Sequence, residues 1–238
     1  MDTAKNMVIV GGGYIGLEVA SVAIKAGINV TVVEMEDRIL KRVTTPTMSE
    51  FYHNLHIERG VQIELNTSID SFSGDTKVSS VNCGDTTFDT DLVIVGIGIL
   101  PNAELAEAAG LEVDNGIIVD DHCRTSDPNI YAAGDCTNHP NPPLNRRLRL
   151  ESVPNAMEQS RIAVTNMTGG DKVYDAVPWF WSDQYEYKLQ MVGFSKESDQ
   201  SVVRGDMTSK SFTVFYLKDN FIIAADSVNN PKEFMACL

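Results

Sequence analysis

The sequence predicts an α/β protein that opens on a parallel sheet and closes on a region dominated by strands. Three observations predict it. Met7–Val10 and Ile28–Glu34 read as short buried strands on either side of a helical run, Tyr14–Ala26, and such a unit pairs its strands in parallel through a right-handed crossover. Asp91–Ile97 is a continuous apolar run, the pattern of a strand buried on both faces. From Trp179 onward strand-forming segments take over, and Phe212–Leu217 and Phe221–Ala225 flank Lys218-Asp219-Asn220, a tight hairpin turn.

The elements between follow from local signals. Gly11-Gly12-Gly13 forces a turn after the first strand, and Gly27 stops the first helix. Thr47-Met48-Ser49-Glu50 has a capping-box pattern, Phe51 and Leu55 are apolar partners one turn apart, and Gly60 ends that second helix. Val61–Leu65, Ile69–Phe72 and Lys77–Val81 read as an antiparallel meander leading to the apolar strand at Asp91. Ala103–Ala109 is a short helix stopped by Gly110. Gly116–Val119 and Asn129–Ala133 read as strands, and Asn138–Asn145, with its prolines, as a loop. Pro154–Thr168 is a helix with proline at a favourable first-turn position, and Asn230-Pro231 caps a last helix of two turns. Domain limits are expected at 1–98, 99–170 and 171–238.

Composition excludes several classes. Nineteen basic against 33 acidic residues give a net charge of −14, so neither nucleic acid nor an anionic membrane is expected as a partner. The longest apolar run, Met7–Leu17, falls short of the roughly 20 residues a membrane helix needs. Gly11–Gly13 also interrupt what would otherwise resemble a secretory signal after Lys5. Cys83, Cys123, Cys136 and Cys237 lie far apart, with no metal spacing and no close dithiol. That usage points to a reducing, cytoplasmic setting, to no metal site and to no redox-active cysteine.

The motif with the most chemistry is Gly11-x-Gly13-x-x-Gly16, between a strand and a helix. Gly11 permits the turn, Gly13 lets the backbone approach a pyrophosphate, and Gly16 allows the helix to pack closely on the strand. Unpaired N–H groups and the positive end of the helix dipole then meet the phosphates. Glu34 ends the second strand where a carboxylate takes ribose hydroxyls, which favours NAD and repels a 2′-phosphate; Arg38 nearby dissents. Glu18 lies in an apolar stretch of the same helix. It is either a group facing the nicotinamide end of the site or an exposed helix acid. Gly98, at the end of the apolar strand, either admits a ligand or marks a domain crossover. Gly134-Asp135 after a strand offers an acceptor for a polyol. The start of the Pro154 helix offers N–H groups to an anionic ring. Trp179-Phe180-Trp181 is core or interface, and Arg146, Arg147 and Arg149 are a docking spot for an acidic partner or a solvated loop.

In order along the chain, residues 11–18 (GGGYIGLE), 49–52 (SEFY) with His56 and Gly60-Val61, 96–102 (GIGILPN), 130–136 (IYAAGDC), 149–156 (RLESVPNA) and 178–184 (PWFWSDQ) closely resemble the NADH-dependent ferredoxin reductases of oxygenase systems. The resemblance covers essentially the whole chain. It implies a Rossmann-like NAD-binding domain with an antiparallel meander, a partial FAD-binding domain and a C-terminal α+β domain. It implies an activity in which NADH reduces FAD and FAD passes electrons to a ferredoxin- or rubredoxin-type iron–sulfur protein. By resemblance, Gly11, Gly13, Tyr14, Ile15, Gly16 and Glu34 hold NAD, Glu18 lies near the nicotinamide as the catalytic group, and Gly98 lines its approach. Asp135 and Val153 contact FAD, with Trp181 beside the flavin. The family begins with a further dinucleotide-binding unit and ends on a longer helix. The chain is therefore expected to be a piece of a longer reductase: a stable NAD domain and a looser remainder that retains little FAD alone. Two other readings stay open, a non-catalytic NADH-binding module and a flavoprotein with another acceptor, of the nitrite reductase or apoptosis-inducing-factor kind.

Overall fold

The computed structural model describes residues 4–238; the first three residues of the expected first domain lie outside them. The chain forms two compact units. One comprises residues up to Gly98 with Ser182–Leu189 and Phe194–Pro231; the other comprises Ile99–Trp181, Gln190–Gly193 and Lys232–Leu238.

The first unit starts with β1 (Asn6–Val10), α1 (Tyr14–Lys25), β2 (Asn29–Val33), α2 (Pro46–Glu58) and β3 (Gln62–Glu64). Three short strands follow, β4 (Ser71–Gly74), β5 (Val78–Cys83) and β6 (Thr86–Asp89), and then β7 (Leu92–Val95). The parallel sheet runs in the order β3-β2-β1-β7. Residues alternate across β1 as a pleated strand requires. Met7 and Ile9 pack with Ala20 and Ala23 of α1, whereas Val8 and Val10 pack with Val81 and Cys83 of β5. Both helices end in the same way: the Ile28 N–H reaches the Ala23 carbonyl past Gly27, and the Val61 N–H reaches His56 past Gly60. Each glycine has positive φ, as that stop requires.

Three expectations change here. The meander is split: β3 joins the parallel sheet, and β4-β5-β6 form a separate antiparallel sheet that includes β6, for which Thr86–Asp89 gave no apolar signal. The strand at Leu92 is not buried on both faces. It is the sheet's edge, its first three residues are half-buried, and Val95 is 55% exposed. The capping box at Thr47 does not form, because Pro46 already occupies the first turn and places the cap at Thr45.

A five-stranded sheet in the order β11-β12-β15-β14-β13 is built from β11 (Trp179–Gln184), β12 (Tyr187–Gly193), β13 (Gln200–Asp206), β14 (Ser211–Lys218) and β15 (Phe221–Val228). Asp219 and Asn220 both have positive φ, giving the tight turn expected between β14 and β15. Phe212 of β14 meets Phe51 of α2 edge-on at 4.9 Å between ring centres.

The second unit holds α3 (Glu104–Ala108), β8 (Ile117–Ile118), β9 (Thr137–Asn141), β10 (Arg146–Leu148), α4 (Val153–Met167) and the closing helix α5 (Pro231–Cys237), whose first residue belongs to the first unit. The predicted strand at Asn129–Ala133 reduces to a single bridge, Arg124 to Tyr131. The predicted proline loop is instead a hairpin. β9 pairs antiparallel with β10, Pro140 stands opposite Arg147, and one turn of 3₁₀ helix joins the strands. That pairing explains the arginines. Arg147 donates to the Val119 and Asn138 carbonyls, and Arg149 donates to the Asn115 side chain, the Asp135 carbonyl and Glu151. Among the described residues no helix is long and apolar enough to cross a membrane.

Asp226, buried in β15, accepts from Thr44 Oγ1 at 2.9 Å and Tyr216 OH at 2.8 Å. Burial pushes its carboxyl up to about 6 against the pull of those two donors. An unfolded aspartate titrates near 3.9, so the folded state holds this proton more tightly. The stabilisation is present in full below the unfolded value and is lost as pH rises through about 6. Chemical denaturation of the parent and Asp226→Asn at pH 4 and 8 is expected to show the variant gaining about 2 kcal/mol on the parent over that range. His56 and His139, which burial pushes down to about 4, act in the opposite sense but cancel in the comparison. A difference independent of pH would mean that Asp226 carries no such strain.

Candidate functional site

The glycine turn lies at the C-terminal ends of β1, β2 and β7, where open α/β sheets bind their ligands. Its three motif glycines do different work. A Cβ on Gly11, which has φ of +101°, would stand 2.5 Å from the Gly96 carbonyl oxygen. A Cβ on Gly16 would stand 2.2 Å from the Gly11 carbonyl oxygen. A Cβ on Gly13 would meet nothing within 4 Å, so that position faces open space. Gly13 caps α1 with no side-chain acceptor, and no acid stands in the first turn. The Ile15 and Gly16 N–H groups, which have no partner inside the helix, are thus left for an outside acceptor. Ile15 is exposed beside them.

Glu34 is built into this turn. Its Oε2 accepts from the Gly12 N–H at 2.7 Å and its Oε1 from the Glu36 N–H at 2.9 Å. The sequence reading passed over Gly12, although three consecutive glycines signalled it: a Cβ there would press within 2.8 Å of Ile39 and 3.2 Å of the Glu34 carboxylate. Arg38 does not face an incoming phosphate. It donates to Ser49 Oγ and to the Lys41 and Thr44 carbonyls. Arg42, also missed, donates to the Ile97 carbonyl at 3.1 Å and flanks Gly98, whose φ is +121°. Glu18 is half-buried one turn along α1, and its Oε1 accepts from Ser182 Oγ at 2.6 Å.

In the second unit, Gly134 has φ of +89° and turns the chain so that Asp135 is exposed. Gln159 of α4, fully buried, holds that turn by accepting from the Gly134 N–H at 2.7 Å and from Thr137 Oγ1 at 2.8 Å. Ser152 caps α4 by accepting from the Asn155 N–H, and Val153 follows it, 54% exposed. A cleft of about 240 Å³ opens beside them, lined by Ser152, Pro154, Asn155, Glu158, Tyr174 and Trp179. Trp181 lies 5.5 Å from Trp179 between ring centres, and Trp179 packs on Phe234. Three of the thiols, Cys83, Cys123 and Cys237, are made poor nucleophiles by burial. Burial pushes Cys83 up and Cys123 to about 12, and all four cysteines are free. Cys136 is half-exposed.

Residues 1–160 match the family described as pyridine nucleotide-disulphide oxidoreductase. The chain belongs to that family. Residues 179–237 further match the family described as reductase C-terminal. Among curated members, this chain is 50% identical over 233 residues to putidaredoxin reductase CamA of Pseudomonas putida, which takes in 96% of this chain and 55% of that one. It is 44% identical to rhodocoxin reductase of Rhodococcus erythropolis, over 99% of this chain and 56% of that one. A ferredoxin reductase structure from Rhodopseudomonas palustris superposes with a TM-score of 0.95 at 40% identity, covering 98% of this chain and 58% of the other. The reductase in a covalent putidaredoxin reductase–putidaredoxin complex gives 0.94 at 48% identity, covering 98% and 57%. The chain thus spans little more than half the length of these relatives.

The turn predicts a contrast between two alanines. Gly13→Ala is expected to melt like the parent but to lose dinucleotide binding, because its methyl group enters the open space next to the free N–H groups. Gly16→Ala is expected to lose about 1–3 kcal/mol of stability as the helix is forced off the Gly11 carbonyl. Thermal melts with and without NADH check both; a Gly13→Ala protein that binds NADH normally would remove the pyrophosphate from this turn.

Proposed function

We propose that this chain is the NADH-binding and electron-transferring portion of a ferredoxin reductase: NADH is oxidised and its electrons pass, by way of FAD, to a ferredoxin- or rubredoxin-type iron–sulfur protein in the cytoplasm. The observation that carries the reading is the Glu34 carboxylate held against the Gly12 N–H at the mouth of the parallel sheet. The kinship with putidaredoxin and rhodocoxin reductases over nearly the whole chain supports it. In this reading residues 1–98 are the NAD domain, 99–170 the later half of an FAD domain and 171–238 the reductase C-terminal domain.

Each residue then has a task set by its surroundings. Gly11 and Gly13 bring the backbone up to the pyrophosphate, and the N–H groups of Tyr14, Ile15 and Gly16 donate to it. Glu34 keeps further lone pairs for the adenosine ribose hydroxyls, since each of its oxygens accepts one backbone N–H. Glu18 and Gly98 border the nicotinamide. The second unit fits the ring-and-ribityl end of a flavin: the exposed Asp135 would accept from the ribityl hydroxyls, the start of α4 at Val153 would donate to the ring, and Trp181 would flank it. FAD, when bound, supplies an acceptor of electron pairs that releases them singly.

Coexpressed with the N-terminal dinucleotide-binding unit of a relative, the chain is expected to give yellow protein that oxidises NADH and reduces ferricyanide; colourless protein would defeat the flavin assignment. The NAD assignment is tested separately by calorimetry. A hydrogen bond to a charged group contributes about 1.5–3 kcal/mol, so NADH is expected to bind roughly ten- to a hundredfold more tightly than NADPH. Glu34→Ala is expected to erase that preference. Equal affinities in the parent would sink the role given to Glu34.

A further inference from the structure

Glu18 is the end of a chain of hydrogen bonds that runs through the first unit. Ser182 Oγ lies 2.6 Å from Glu18 Oε1, and Gln184 Nε2 lies 3.1 Å from Ser182 Oγ. His56 Nε2 lies 2.8 Å from Gln184 Oε1, and Tyr185 OH lies 3.0 Å from His56 Nδ1. Ser182, Gln184 and His56 are fully buried.

The polarity of this chain is forced. A carboxylate only accepts, so the single serine proton goes to Glu18 and Ser182 must accept from the Gln184 amide N–H. That leaves the Gln184 carbonyl oxygen to His56, whose Nε2 must then carry the ring proton. Nδ1 is left with a lone pair, which takes the Tyr185 hydroxyl proton. Each link therefore donates in the direction of Glu18, and aligned bonds of this kind strengthen one another.

Tyr185 joins this chain of bonds at a local backbone cost. It has φ of +59° in the turn between β11 and β12, a conformation that suits glycine and strains a bulky residue. Glycine there would lose the hydroxyl that orients His56. The turn is held by Lys25 Nζ, which donates to the Tyr185 carbonyl at 2.9 Å, and by Arg59, whose guanidinium lies 4.9 Å from the Tyr185 ring centre.

We propose that Ser182, Gln184, His56 and Tyr185 are positioning residues that fix Glu18 in one rotamer, with one oxygen satisfied and the other free to accept from the carboxamide N–H of a nicotinamide ring. The proposal rests on the placement of Glu18 beside the nicotinamide. Oε2 of Glu18 has no partner among the described residues. A carboxylate held this way selects dinucleotides that carry an amide on the ring and repels those that carry an acid.

Calorimetry on the purified chain with NAD, the nicotinic acid dinucleotide and ADP-ribose tests it. The parent is expected to bind NAD more tightly than the acid analogue. Ser182→Ala is expected to weaken NAD about five- to tenfold, the scale of one net hydrogen bond, while ADP-ribose binding stays unchanged and reports an intact fold. Ser182→Thr, which keeps the hydroxyl, is expected to restore NAD. Tyr185→Phe, at the half-buried far end of the chain of bonds, is expected to shift NAD in the same direction as Ser182→Ala by a smaller factor. If both variants keep the parental ratio of NAD to ADP-ribose affinity, the positioning role is overturned while the dinucleotide site stands. If ADP-ribose does not bind the parent at all, the site and the proposal fall together.

Discussion

A single close approach sets the geometry of the first unit. The backbone at Gly11 comes so near both Gly16 and Gly96 that a Cβ at position 16 would stand 2.2 Å, and one at position 11 would stand 2.5 Å, from a carbonyl oxygen. Those distances lie far inside van der Waals contact, so α1 meets β1 and β7 in this way only with glycines. The approach brings the unpaired N–H groups of α1 to the ends of three parallel strands. It also aims the Gly12 N–H at Glu34, so on the proposed function the charge that would distinguish one dinucleotide from another is fixed by the same turn that would cradle the phosphates.

The second constraint is polar. Helix α2 is tied at both ends by buried side chains. Near its start, Thr44 and Thr45 bond Asp226 and Tyr216; near its end, His56 bonds Gln184 and Tyr185. A buried polar group left unpaired costs roughly 1–3 kcal/mol, so each of these bonds penalises a displacement of the helix along the C-terminal strands. Apolar packing alone, such as Phe51 on Phe212, tolerates small slides that these bonds do not. The same end of α2 continues through Gln184 and Ser182 to Glu18, so the packing of this helix and the placing of a carboxylate on α1 are one problem with one solution.

Much of this was legible in the sequence where a signal is local. The β1–α1–β2 unit, the glycine stops at Gly27 and Gly60, the Pro154 start of α4 and the Asp219-Asn220 turn each rest on a few adjacent residues, and each forms where those residues place it. The errors arose where pairing decides. Leu92–Val95 is as apolar as a central strand yet lies at an edge, because sheet order is set by long-range contacts. Pro140 argued for a loop, yet a short hairpin tolerates it, and Arg147 supplies bonds that anchor the pair. In the site, Glu34 and the glycines could be read from spacing. Gly12 was signalled but passed over. Ser182, Gln184, His56 and Tyr185 could not be joined to Glu18, since nothing in a linear pattern shows that a turn between two late strands reaches the second helix.

The chemistry of the thiols bears on where electrons go. The family's description includes disulphides, and a dithiol works by presenting a thiolate next to a second sulfur. Here burial pushes Cys123 to about 12 and raises Cys83 and Cys237 as well, which keeps these sulfurs protonated and unreactive near neutral pH. Cys83 belongs to the first unit and the other three to the second, and none is paired. A pair of electrons delivered as a hydride thus finds no pair of sulfurs in this chain to hold it. On the proposed activity the surroundings of Asp135, Val153 and Trp181, not a cysteine, decide how those electrons leave. On that activity the Gln159 staple matters because it holds the Gly134 turn that leaves Asp135 exposed.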